Sequence, residues 1–162
     1  MNTSSSTFTA ALLIASITAP ALALAANPHF LVGPTITDDG DGFTATGTLA
    51  GLGNKDVTIE LAATATVTTT CTNPAGNIAP GQTKETTVSQ EQTLSPTKNG
   101  SLTFNISIDE QDVEDDINLN GVCPNGKWTA HVEDVSFSDP TLTISQGGKT
   151  LFTCSGVDPT TC

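Results

Sequence analysis

The chain has 162 residues, with 17 acidic side chains against five lysines and no arginine, and a formal net charge of −12. Nucleic-acid binding relies on Lys and Arg neutralising phosphates, so this balance argues against a nucleic-acid partner and against anionic lipid surfaces. The same acidity keeps an extracellular protein soluble and monomeric.

Taken from the N-terminus, residues 10–26 form an apolar run with no charged side chain, broken by Pro20 and carrying the small-x-small stretch Ala23-Leu24-Ala25. This layout predicts a secretory signal peptide over 1–25, although residues 1–9 carry no Lys or Arg. The run is shorter than the roughly 20 residues a membrane-spanning helix needs. No Cys follows it directly and the C-terminus has no apolar tail, so neither a lipid anchor nor a GPI anchor is expected. Residues 26–162 are enough for one hydrophobic core and are expected to form a single domain.

This remaining chain alternates at period two. Asp38-Asp39-Gly40-Asp41-Gly42 separates a first candidate strand from Phe43–Leu49, and Gly51-Leu52-Gly53-Asn54 precedes the clearest run. There Val57, Ile59, Leu61, Ala63, Ala65, Val67, Thr69 and Cys71 alternate with Thr, Glu and Ala, placing one face in a core. Fifteen residues is long for one strand, which predicts a bend or bulge near Ala62-Ala63. Residues 71–81 are rich in Pro and Gly and read as a loop. Asn99-Gly100 reads as a hairpin turn before Leu102-Phe104-Ile106-Ile108.

Residues 109–126 are strongly acidic and irregular, and no segment of the chain shows a helical stripe. Further runs follow at Trp128-Ala130-Val132, Val135-Phe137 and Leu142-Ile144. The step from 132 to 135 predicts a bulge, and Gly147-Gly148 a hairpin turn. The expected fold is all-β, an Ig-like antiparallel β-sandwich of about eight strands stabilised by disulfides. Cys71 and Trp128 resemble an immunoglobulin core pair, but their order and spacing differ from that family.

Four cysteines, Cys71, Cys123, Cys154 and Cys162, suit two disulfides in an exported protein, with three connectivities. The turn-rich stretch between Cys154 and Cys162 favours joining those two, which leaves Cys71 with Cys123. A zinc site is disfavoured because no CxxC pair exists.

Three pieces of sequence carry a resemblance: Ala50-Gly51-Leu52-Gly53-Asn54, Cys71-Thr72-Asn73-Pro74-Ala75-Gly76-Asn77 and Cys123-Pro124-Asn125-Gly126. Together they resemble a group of small exported proteins of bacteria and fungi with no established activity. The resemblance implies a secreted single domain and a tie between the Cys71 and Cys123 loops. It implies no catalytic residues.

The sharpest candidate for chemistry is Asp116-Ile117-Asn118-Leu119-Asn120-Gly121, which matches the first half of an EF-hand calcium loop. Asp116, Asn118 and Asn120 are the candidate ligands. Lys127 stands where the closing Glu belongs, and Cys123-Pro124 interrupts the loop, so Asp109, Glu110, Asp112, Glu114 or Asp115 would have to complete the site. The plainer reading is a solvated acidic turn, and no other cofactor is expected.

His29 and His131 are the neutral-pH acid/base groups, and His131 is expected to be exposed on the face opposite Trp128. Copper held by an N-terminal His would need cleavage after Pro28, whereas Ala25 is the better site. No nucleophile elbow, zinc-protease or P-loop motif is present. Thr64, Thr66, Thr68, Thr70 and Thr72 form an outward row of the kind ice-binding surfaces use, or simply reflect β-propensity. Asn99-Gly100-Ser101 and Asn105-Ile106-Ser107 are glycosylation sequons. The sequence thus predicts a secreted, non-catalytic module binding an extracellular ligand or surface polymer. A small secreted carboxylate- or metal-dependent hydrolase is the alternative.

Overall fold

Val57, Ile59, Leu61, Ala63, Ala65 and Val67 are buried to within 2 % of complete, while Thr58, Thr64 and Thr66 between them stay part-exposed. The period-two pattern therefore folds as one strand with an inward and an outward face. A computed structural model describes residues 27–157 and Cys162, without the side chains of Asp115 and Asp116. The signal peptide expected over 1–25 lies outside the described residues. In chain order the elements are β1 (His29–Asp38), β2 (Gly42–Ala50), β3 (Val57–Thr72), β4 (Ile78–Pro80), β5 (Lys84–Leu94), β6 (Leu102–Asp109), α1 (Glu110–Asp116), β7 (Thr129–Gln146) and β8 (Lys149–Ser155).

The strands form two antiparallel sheets. One has the order β1-β2-β6, and the other runs β4-β3-β7-β8 with β5 also paired to β3. Ile36, Phe43, Leu49, Phe104 and Ile108 of the first sheet meet Ile59, Leu61, Val67, Leu142 and Ile144 of the second in one core. Each such side chain contributes roughly 1.5–3 kcal/mol by burial. Phe43 of β2 lies edge-on to Phe137 of β7, with ring centroids 6.4 Å apart, and so links the two layers. The all-β sandwich is the expected one. Trp128, however, is half-buried and stands outside the core cluster, so it does not play the part of an immunoglobulin core tryptophan.

Four local expectations meet a different structure. The separate runs after residue 128 join into β7, a single strand of 18 residues. Thr68 pairs with Asp134 but Thr69 with Val132, so Glu133 is the extra residue of the bulge expected between 132 and 135. The irregularity expected in β3 near Ala63 lies on its partner instead. Ala62 pairs with Thr141 and Thr64 with Ser138, leaving Asp139 and Pro140 opposite Ala63, with Asp139 at φ 53°. Proline has no N–H to give to a ladder, so a central strand tolerates it only at such a bulge.

Asn99-Gly100 does make a tight turn, but not a hairpin. It carries the chain from β5 in one sheet to β6 in the other. The crossing is held against the 50–57 crossing, because Leu52 N–H donates to Gly100 O at 3.1 Å and Gln146 Nε2 donates to Leu52 O at 2.9 Å.

The acidic segment holds a helix where none was expected. Asp109 caps α1 by accepting from the N–H groups of Gln111 and Asp112, while the Asp112 carboxylate accepts from Asp109 N–H. Seven residues are too few to show a stripe; Val113, 1 % exposed, and Ile117 one turn on are its only apolar anchors. Among the described residues no helix is long and apolar enough to cross a membrane.

Candidate functional site

The candidate site grows from the end of β3. Cys71 is fully buried and bonded to Cys123, and the second bridge joins Cys154 to Cys162, the pairing that spacing favours. After β3 the chain turns around Asn73, whose Oδ1 accepts from the N–H groups of Ala75 and Asn77 at 3.0 and 2.9 Å. It returns as β4, which pairs with Thr70–Thr72. Gly81 N–H then donates to Thr69 O at 2.8 Å. A Cβ at Gly81 would stand 2.2 Å from Thr69 Oγ1, so this approach requires glycine. Thr69, the one buried polar residue among the described residues, donates its hydroxyl to Gln82 O at 2.9 Å, and Gln82 N–H donates to Val122 O at 3.0 Å. Disulfide and hydrogen bonds together clamp the 117–128 loop onto the end of the second sheet.

The clamped loop encloses an open cavity of about 390 Å³. Leu119, Asn120, Gly121, Cys123, Asn125, Gly126, Trp128 and Ala130 line it. Two Asx turns shape this loop: Asn118 Oδ1 accepts from Asn120 N–H at 2.9 Å, and Asn125 Oδ1 accepts from Lys127 N–H at 3.0 Å. Among the described residues, no carboxylate and no histidine lines the cavity. It offers an aromatic side chain, amides and backbone groups.

Of the calcium candidates, Asn118 and Asn120 are exposed on this loop, and the Asp116 side chain lies outside the described residues. The Asn118 side-chain oxygen is engaged in its turn, and the Lys84 ammonium donates to Asn118 O. Among the described residues no three His, Cys, Asp or Glu side chains cluster as a metal site. His131 is exposed on β7 as expected, and His29, at the start of β1, holds its Nδ1 2.8 Å from Asn27 O.

The threonine row occupies the outer face of β3. Glu85 and Asp134 stand directly beside Thr66 and Thr68, so carboxylates interrupt it. Both sequon asparagines, Asn99 and Asn105, are exposed. No buried side-chain nitrogen or oxygen among the described residues lacks a hydrogen-bond partner.

The Asn120–Asn125–Trp128 grouping was not legible as a site. The sole Trp beside Cys123-Pro124-Asn125-Gly126 was its one sequence signal. The three motifs behind the family resemblance now have distinct physical roles. Gly51-Leu52 builds the sheet crossing, Asn73 organises a turn, and the Cys123 motif lines the cavity.

No family model matches the chain, and no curated protein matches it. Among solved structures it is similar to the solution structure of R. palustris CsgH, at 14 % identity and a TM-score of 0.31, covering 82 % of this chain and 93 % of that one. A likeness of this size carries no functional argument.

Proposed function

We propose that this chain is a secreted, non-catalytic module that holds an extracellular surface polymer in the cavity beside the Cys71–Cys123 bridge. The observation that carries this reading is the lining of that cavity. The half-buried Trp128 and two asparagines line it, and among the described residues no carboxylate or histidine does. Two disulfides fit an oxidising compartment. Binding loops carried on a rigid scaffold are a common arrangement for recognition.

Co-sedimentation of the mature protein with insoluble cell-wall polymers tests it, with the supernatant assayed for released fragments. Retention without fragment release is the expected result. Fragment release would replace this reading with the carboxylate-dependent hydrolase.

A further inference from the structure

We infer that the cavity is a subsite for an uncharged pyranose chain, with Trp128 as its stacking platform and the Asn120 and Asn125 amides as its hydroxyl partners. This rests on the polymer-binding reading and names the chemistry of the polymer. The volume of about 390 Å³ falls in the range of small-molecule sites and admits a short stretch of a sugar chain.

Three kinds of group meet there. The indole of Trp128 is half-buried, so part of the ring is open to a ligand. A pyranose ring presents an apolar C–H face, which packs on an aromatic surface, and a girdle of hydroxyls that each donate and accept. Asparagine amides do both.

The donors are also free to act. Asn120 uses its backbone N–H in the Asn118 turn, and Asn125 uses only its Oδ1 in the Lys127 turn. Among the described residues the Asn120 side chain, Asn125 Nδ2 and Trp128 Nε1 have no protein partner. The backbone that carries them is held by the Cys71–Cys123 bridge and by the Gln82–Val122 hydrogen bond, which lowers the ordering left to be done on binding.

Charge decides the class of sugar. No ionisable side chain lines the cavity among the described residues, so nothing there would pair with a uronate, sulfate or phosphate. The net charge of −12 also repels polyanions at longer range. Glucans and chitin share the remaining chemistry, equatorial hydroxyls around an uncharged ring.

Trp128 is the only tryptophan, so intrinsic tryptophan emission reports on this cavity alone. The experiment titrates the mature, disulfide-bonded protein with laminarin oligomers, chitin oligomers and, as the anionic arm, oligogalacturonate. It follows emission, and in parallel measures retention on the insoluble polymers.

A saturable emission change with either neutral oligomer, and none with oligogalacturonate, is the expected result; which one responds separates glucan from chitin. Trp128→Ala should weaken retention at least about tenfold, as loss of an aromatic anchor does. Asn125→Asp keeps the Oδ1 acceptor of its turn but removes the Nδ2 donor and adds a charge, and should weaken retention about fivefold. Thermal melts matching the wild type would show that neither variant acts through misfolding.

Retention that survives Trp128→Ala undiminished, with emission unchanged in the wild type, overturns the subsite while leaving polymer binding in place. A response to oligogalacturonate alone overturns the uncharged class. Retention on no polymer overturns both this inference and the reading beneath it.

Discussion

The bridge Cys71–Cys123 spans 52 residues and draws a distant loop onto the end of β3, whereas Cys154–Cys162 spans 8 and closes a short segment back onto β8. Both have one cysteine fully buried in the second sheet. In the chain-entropy picture the longer closure stabilises by about 4 kcal/mol and the shorter by about 2.5 kcal/mol. Their positions differ more than their energies. The long bridge lines the cavity through Cys123, whereas neither Cys154 nor Cys162 does. Cys154 instead lies beside Leu142, level with Leu61 and part-way along the second sheet.

The largest effect should come from removing the long bridge. Cys71→Ala with Cys123→Ala should lower unfolding stability by about 4 kcal/mol in denaturant titration and abolish polymer retention. A loss smaller than that of the short bridge would reverse the ranking. Removing the short bridge, by Cys154→Ala with Cys162→Ala, should lower stability by about 2.5 kcal/mol while the folded protein keeps its retention. If retention falls as well, the two bridges are coupled and the comparison fails.

Gly81→Ala sharpens the picture without touching a cavity residue. Its Cβ would collide with Thr69 Oγ1, so a stability loss of about 1–3 kcal/mol is expected, together with weaker retention as the clamp shifts. Asp109→Ala should remove the cap of α1 at a cost of about 1 kcal/mol, read as a lower midpoint in thermal unfolding, with retention unchanged.

The smallest effect expected is that of calcium. With the Asn118 side-chain oxygen engaged and the Lys84 ammonium on its carbonyl, the melting temperature should be the same in EDTA and in millimolar calcium. A site saturated about 100-fold above its dissociation constant would instead add about 2.7 kcal/mol. A shift of that size, lost in Asp116→Ala, would establish Asp116, Asn118 and Asn120 as calcium ligands.

How much could be read beforehand follows from the range over which each signal acts. β2, β3 and β6 were legible because alternation records which face of a strand is buried, and that is a local property. The Gly147-Gly148 hairpin was legible for a similar reason, since both residues adopt positive φ, at 59° and 78°. α1 was not, because its signal is an Asp-x-x-Asp cap and two apolar residues within an acidic run that reads as solvated loop. Nor was the site, since Asn120, Asn125 and Trp128 face a common cavity only once Cys123 is bonded to Cys71.

The sequence by itself determined the strand-forming character, the acidic surface and the favoured pairing of the cysteines. These depend on neighbours in the chain or on composition. Only the tertiary structure decided which strands are partners: β5 and β6 follow one another across a tight turn yet belong to different sheets. It also decided that Trp128 lies outside the core. A strand's pattern states that a face must be buried but not against what, and the choice of partner is made by contacts between residues far apart in the chain.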